Sequence, residues 1–107
     1  MYKKTSPLYN RQRQDIQVLW KQHKIDPLPI LCAGEMLEDI NLLQLIGQVD
    51  NVIEKFLQTE QLVHIYLTPL QRYLGQVELV MEAMQDEDQD YFARLYLLCH
   101  LILQWHR

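Results

Sequence analysis

Residues that interrupt helices are rare in this chain, and their scarcity constrains the fold more than any other feature. Of its 107 residues, three are glycine and four are proline, whereas leucine and glutamine are abundant. Leucine and glutamine form helices readily, and the alternating β-branched residues typical of strands are missing. We therefore expect one all-α domain over residues 1–107, folded as an antiparallel four-helix bundle.

The breaks between periodic segments predict where the helices lie. Ser6 and Pro7 have the form of an N-cap followed by the first helical residue, which makes residues 1–6 an N-terminal extension. Two closely spaced prolines disfavour helical backbone at the residues before them and predict a linker over residues 25–33. The four helices are predicted near residues 7–24, 35–58, 60–85 and 88–105.

The boundary between the second and third helices has two interpretations. We favour a short turn at residues 58–60, after which Pro69 either kinks the third helix or restarts it. Alternatively, the second helix continues to Thr68, where the sequence Thr-Pro-Leu-Gln has the form of a capping box. Acidic residues near positions 35–39 and 86–90 are expected at the starts of the second and fourth helices, where the helix dipole favours negative charge.

Charge is divided unevenly along the chain. The first 24 residues carry six of the ten bases and one acid, whereas residues 25–107 carry 13 of the 14 acids. This division predicts that a basic element faces an acidic surface in the same fold, across a dimer or on another molecule. The net charge of −4 argues against a surface devoted entirely to nucleic acid.

The predicted first helix is amphipathic and basic. Ile16, Leu19, Trp20 and His23 share one face at helical spacing, and we expect the first three to pack into the core. A polar flank beside this face could contact phosphate or an acidic groove of a partner. Its candidate binding residues are Arg13, Gln17, Lys21 and Lys24.

The predicted fourth helix is apolar on almost all sides. One stripe runs from Tyr91 to Trp105, and a second stripe beside it includes Phe92 and Cys99. A small bundle covers one broad face of each helix, so the other stripe needs a partner. We expect a homodimer with Leu95, Leu98, Ile102 and Trp105 as its interface anchors.

No motif in the sequence predicts catalysis, a metal or a cofactor. Asp86, Asp88 and Asp90 have the spacing that opens a calcium loop, but that loop also requires a glycine and a late glutamate that are absent here. The single serine, Ser6, has no glycine-rich turn to present it as a nucleophile. Cys32 and Cys99 are far apart in apolar sequence, and we interpret both as buried free thiols.

The longest apolar run has nine residues, about half of a membrane span, so we expect no membrane association. The N-terminal sequence lacks the apolar core of a signal peptide, which favours a cytoplasmic location. The function expected is a small cytosolic protein-interaction module that binds itself or another protein. One alternative is a nucleic-acid-associated regulator that uses the basic helix. Another is a helical chaperone or antitoxin-like protein that binds a partner's helix.

Overall fold

The computed structural model describes residues 7–26, 36–37, 39–59 and 64–106. These residues form an all-α helical bundle with one very short antiparallel hairpin, in which Leu37 pairs with Ile40. The elements in chain order are α1 (Pro7–Ile25), β1 (Met36–Leu37), β2 (Ile40–Asn41), α2 (Leu42–Thr59), α3 (His64–Ala83) and α4 (Asp86–His106). The predicted extension over residues 1–6 and most of the predicted linker, including Cys32, lie outside the described residues.

Several predicted boundaries are confirmed. Helices α1 and α4 match the predicted first and last helices to within two residues. Helix α2 ends at Thr59, so the favoured break is correct and the second helix does not continue to Thr68. Pro69 lies inside α3, in its second turn. Pro69 has no N–H to donate to the carbonyl four residues earlier, so α3 lacks one intrahelical hydrogen bond at this point.

The predicted start of the second helix was wrong. The structure places the hairpin where helix was expected, and Asp39 lies in its turn instead of in a first helical turn. The Oδ1 atom of Asn41 accepts a hydrogen bond from the backbone N–H of Gln44 at 3.0 Å. Asparagine is among the strongest N-cap residues, and this bond satisfies a donor that the helix itself leaves open. Helix α2 therefore begins at Leu42.

Helix α4 contacts all three other helices and forms the centre of the bundle. Its inward side chains pack with Val49 and Ile53 of α2 and with Leu70 and Val77 of α3 in one core. Ile16 of α1 is fully buried in the same core. The prediction that α1 packs into the bundle is therefore confirmed, with Leu19 and Trp20 partly buried against the core.

Contacts between α1 and α4 show which ends of the two helices lie together. Just after α1 ends, Asp26 forms an ion pair with Arg94, near the start of α4. Earlier in α1, Asp15 borders the same surface cavity as Leu101, which lies towards the end of α4. The contacts thus run in opposite order along the two helices, as they do when neighbouring helices point in opposite directions.

Candidate interaction surface

The basic flank predicted on α1 lies at the surface. The side chains of Arg13, Gln17, Lys21 and Lys24 are all exposed. Arg13 and Gln17 border α2, where they line a small cavity together with Phe56 and Leu57. The Nζ atom of Lys24 lies 5.3 Å from the ring centre of Trp20, in cation–π geometry.

The predicted dimer anchors of α4 require correction. Leu95, Leu98, Ile102 and Trp105 are between 0% and 2% exposed and belong to the core of the chain itself. The stripe is buried because α1, α2 and α3 all pack against α4. The prediction considered the sequence of α4 alone and therefore underestimated how much of its surface the other helices cover. A side chain that is already buried within one copy cannot anchor a contact with a second copy, so these four residues are core residues.

The apolar surface that remains open on α4 lies on its side facing α1. Leu97 is 41% exposed and, with Leu101, forms one wall of a groove. Val18 and Leu19 of α1 form the other wall, and Gln14 and Asp15 add polar groups at its N-terminal end. The groove has a volume of about 530 Å³ and is open to solvent. We call these six residues the α1–α4 groove.

The apolar surface extends beyond the groove along α1. Val18 is 59% exposed, and Ile25, seven residues later on the same side of the helix, is 75% exposed. The other large apolar side chains that are exposed in the described residues, Leu43 and Leu79, lie singly on α2 and α3. Exposed apolar residues therefore cluster at the α1–α4 groove, and clustering of this kind is typical of a binding surface.

Sequence reasoning missed this surface although part of the signal was present. Val18 and Ile25 are apolar residues on the side of α1 opposite Ile16, a pattern that a helical projection reveals. The sequence also indicated surplus apolar surface on α4. The packing of α1 determines which side of α4 stays exposed. The sequence of α4 alone does not show where α1 packs.

Two polar contacts hold the C-terminal end of α1 in place. The Nε2 atom of His23 donates to Oδ1 of Asp50 on α2 at 2.7 Å, and the His23 side chain is almost completely buried. Its ring also packs against Tyr91 of α4, with ring centres 5.0 Å apart. The second contact is the ion pair between Asp26 and Arg94, in which Asp26 also accepts a bond from Gln22 at 2.9 Å. These contacts fix α1 against α2 and α4 and thereby define one wall of the groove.

Other chemically distinctive side chains lie in structural positions. Cys99 is fully buried, and burial together with the nearby Asp50 charge raises the pKa of its thiol to about 12. The thiolate, which is the reactive form, is therefore scarce at neutral pH. His100 is half-buried and stacks on Tyr96 with ring centres 6.2 Å apart.

The acidic residues at the start of α4 do not form a loop. Asp86 is the first residue of α4 and has a left-handed backbone conformation with a φ of 55°, whereas Asp88 and Asp90 lie on regular helix, where residues two apart point to nearly opposite sides. In the described parts of the chain, no three His, Cys, Asp or Glu side chains are grouped so that they could hold a metal ion. None of the helices described here is long and apolar enough to span a membrane.

Comparisons with known protein families, with curated proteins and with solved structures gave no significant match. The residues of the α1–α4 groove are therefore the basis for assigning it a function.

Proposed function

We propose that this chain is a small cytosolic protein-interaction module without catalytic activity, and that it binds protein through the α1–α4 groove. The observation that carries the proposal is the clustering of exposed apolar side chains along this groove, with Val18 and Leu97 facing each other across it. Both residues lie on helices anchored in the core, so the surface is rigid before it binds. A preformed surface avoids much of the entropy cost of ordering a binding site.

The size of the apolar surface indicates a moderate affinity. Complete burial of one valine or leucine side chain contributes about 1.5–3 kcal/mol, and the groove residues are already partly buried. A few such anchors surrounded by polar side chains are typical of an interface in which a small number of residues supply most of the binding energy. The polar residues at the end of the groove, Gln14 and Asp15, would contribute mainly to specificity.

The experiment that tests this proposal compares two charge insertions. Leu97→Glu places a carboxylate in the groove, and Leu79→Glu places one at a similarly exposed position on α3. Affinity-tagged wild-type and variant chains are incubated in native cytosol, and the bound proteins, including untagged copies of the chain, are quantified. We expect a bound protein that the wild type and Leu79→Glu retain and that Leu97→Glu loses. An identical set of bound proteins for all three chains would contradict the proposal.

A second candidate function is supported by the exposure of the basic flank on α1. Lys21 and Lys24 are exposed and could contact phosphates, which supports a nucleic-acid-associated regulator. The test is binding to a short DNA duplex or to heparin at increasing salt concentration. Affinity that falls steeply with salt and is lost in a Lys21→Glu/Lys24→Glu variant would support this function. Absence of binding at low salt would eliminate it.

A further inference from the structure

We infer that the partner in the α1–α4 groove is the same groove of a second copy, in a two-fold dimer where α1 of each copy lies over α4 of the other. This inference depends on the proposed function and names the partner. A two-fold interface uses one surface twice, so this surface must be complementary to itself. The groove meets that requirement in both charge and apolar shape.

The charges of the two helices are opposite. The described side chains of α1 include one acid, Asp15, and four exposed bases: Arg11, Arg13, Lys21 and Lys24. The first turns of α4 carry four acids, Asp86, Glu87, Asp88 and Asp90, and its one described base, Arg94, is paired with Asp26. Arg13 borders α2 and lies with Arg11 in the N-terminal half of α1, so Lys21 and Lys24, in the C-terminal half, are the bases near the acidic start of α4.

This charge difference selects between the possible two-fold arrangements. An axis parallel to the helices, in front of the groove, places α1 of each copy over α4 of its partner, so that both contacts join opposite charges. An axis perpendicular to the helices can place α1 against α1 and set two basic surfaces together. Like charges at such a contact are repulsive, whereas opposite charges accelerate association and fix the orientation.

The level of the residues along the bundle supports the parallel axis. Rotation about an axis parallel to the helices does not move any residue along the length of the bundle. Two residues at the same height in one copy are therefore also at the same height when they belong to different copies. His23 packs against Tyr91, which shows that the C-terminal end of α1 is level with the acidic start of α4. Lys21 of one copy is therefore placed near Asp90 of the other.

The apolar residues match under the same operation. Val18 lies across the groove from Leu97 and Leu101 within one copy, and these two leucines are one helical turn apart along α4. After the two-fold rotation, Val18 of each copy lies over the Leu97 and Leu101 side chains of the other. The centre of the interface is thus apolar and its end at Lys21 and Asp90 is charged, which is the usual anatomy of a specific interface.

Sedimentation equilibrium of the purified full chain at concentrations up to about 100 μM tests this inference. The monomer has a mass of 12.9 kDa, and we expect the wild type to have twice that mass. Val18→Glu and Leu97→Glu should weaken the dimer by at least about tenfold, because each buries a carboxylate. Leu43→Glu and Leu79→Glu, on exposed leucines outside the groove, should dimerise like the wild type. Circular dichroism of every variant establishes that it is folded.

A charge exchange tests the arrangement itself. Lys21→Glu and Asp90→Lys should each weaken the dimer, and the double variant K21E/D90K should recover most of the loss because the opposite charges are restored. Lys55→Glu, on an exposed lysine of α2, is the control for charge alone. No recovery in the double variant would overturn the proposed arrangement.

A wild-type chain that is monomeric at about 100 μM would overturn the dimer as a whole. If groove-dependent binding from cytosol were still observed, the proposed function would stand and the partner would be a different protein. If both experiments failed, the groove would not be an interaction surface.

Discussion

His23 and Asp50 are 27 residues apart in sequence, yet the Nε2 atom of His23 lies 2.7 Å from Oδ1 of Asp50. This bond joins α1 to α2 at the end of the bundle where α1 also contacts α4. The His23 side chain is buried, and its Nδ1 atom has no hydrogen-bond partner among the described residues. The bond to Asp50 is therefore the main polar compensation for burying this ring, and both residues position α1.

We predict that Asp50→Ala lowers the free energy of unfolding by about 1–3 kcal/mol, because it leaves the buried Nε2 donor of His23 without an acceptor. Urea denaturation followed by circular dichroism measures this loss. Glu54→Ala, at an exposed position one turn later on α2, is the matched control and should change stability by less than about 0.5 kcal/mol. Equal losses in the two variants would show that the bond contributes nothing specific.

The packing of α1 leads to a second prediction. Ile16 is fully buried between α1 and the core, so Ile16→Ala should lower the free energy of unfolding by about 2–5 kcal/mol. Arg11→Ala, on an exposed residue of the same helix, should have an effect below about 0.5 kcal/mol. Thermal melting measures both variants. An unchanged melting temperature for Ile16→Ala would mean that α1 is not part of the cooperative core.

The N-cap of α2 provides a third prediction. Asn41→Ala removes the acceptor for the backbone N–H of Gln44 and should cost about 0.5–2 kcal/mol. Asn51→Ala makes the same chemical change at an exposed position inside α2, where alanine is the better helix former. This control should be neutral or slightly stabilising in the same urea titration. Destabilisation by both variants would indicate that loss of the asparagine side chain, and not loss of the cap, is responsible.

Cys99 leads to a prediction about pH. Burial raises the pKa of its thiol to about 12, from an ordinary value of 9.0. Between these two values the unfolded chain loses a proton that the folded chain retains, so the unfolded state binds fewer protons. The free energy of unfolding must then fall as pH rises from about 9 towards 12. Below pH 9 this group has no effect on the pH dependence of stability.

Two measurements check the Cys99 prediction. In a Cys32→Ala background, the thiol should react with a maleimide at pH 8 only as fast as the chain unfolds, and rapidly in denaturant. Replacing Cys99 with alanine should make the fall in stability above pH 9 less steep. Rapid labelling of the folded chain would show that the thiol is accessible.

The parts of the fold that could be predicted from sequence are those set by local signals. Pro7 and the acidic residues near Asp86 indicated the starts of α1 and α4, and the apolar spacing of Ile16, Leu19 and Trp20 identified the buried face of α1. The hairpin before α2 was missed for two reasons. Asparagine is common at N-caps, but Asn41 alone does not show that a helix begins after it. The apolar residues before Asn41 are also spaced as they would be in a helix.

The candidate site depended on information that no single segment contains. Leu98 and Leu97 are adjacent leucines in the same helix, but one is in the core and the other is exposed. Their roles are set by the angle at which α1 packs on α4, and this angle depends in turn on the pairs that His23 and Asp26 form with distant residues. Long-range pairs of this kind leave no pattern within one segment.

The most direct test of the dimer is disulfide cross-linking between two chains that each carry one introduced cysteine in a Cys32→Ala background, where the remaining Cys99 is fully buried. A V18C chain is mixed with an L97C chain of distinguishable mass at about 10 μM and oxidised gently. The proposed arrangement predicts that the mixed V18C–L97C product forms faster than either product of like chains, with an L43C chain remaining largely unlinked. Preferential V18C–V18C linkage, or linkage no faster than that of the L43C chain, would contradict a dimer in which α1 of each copy lies over α4 of the other.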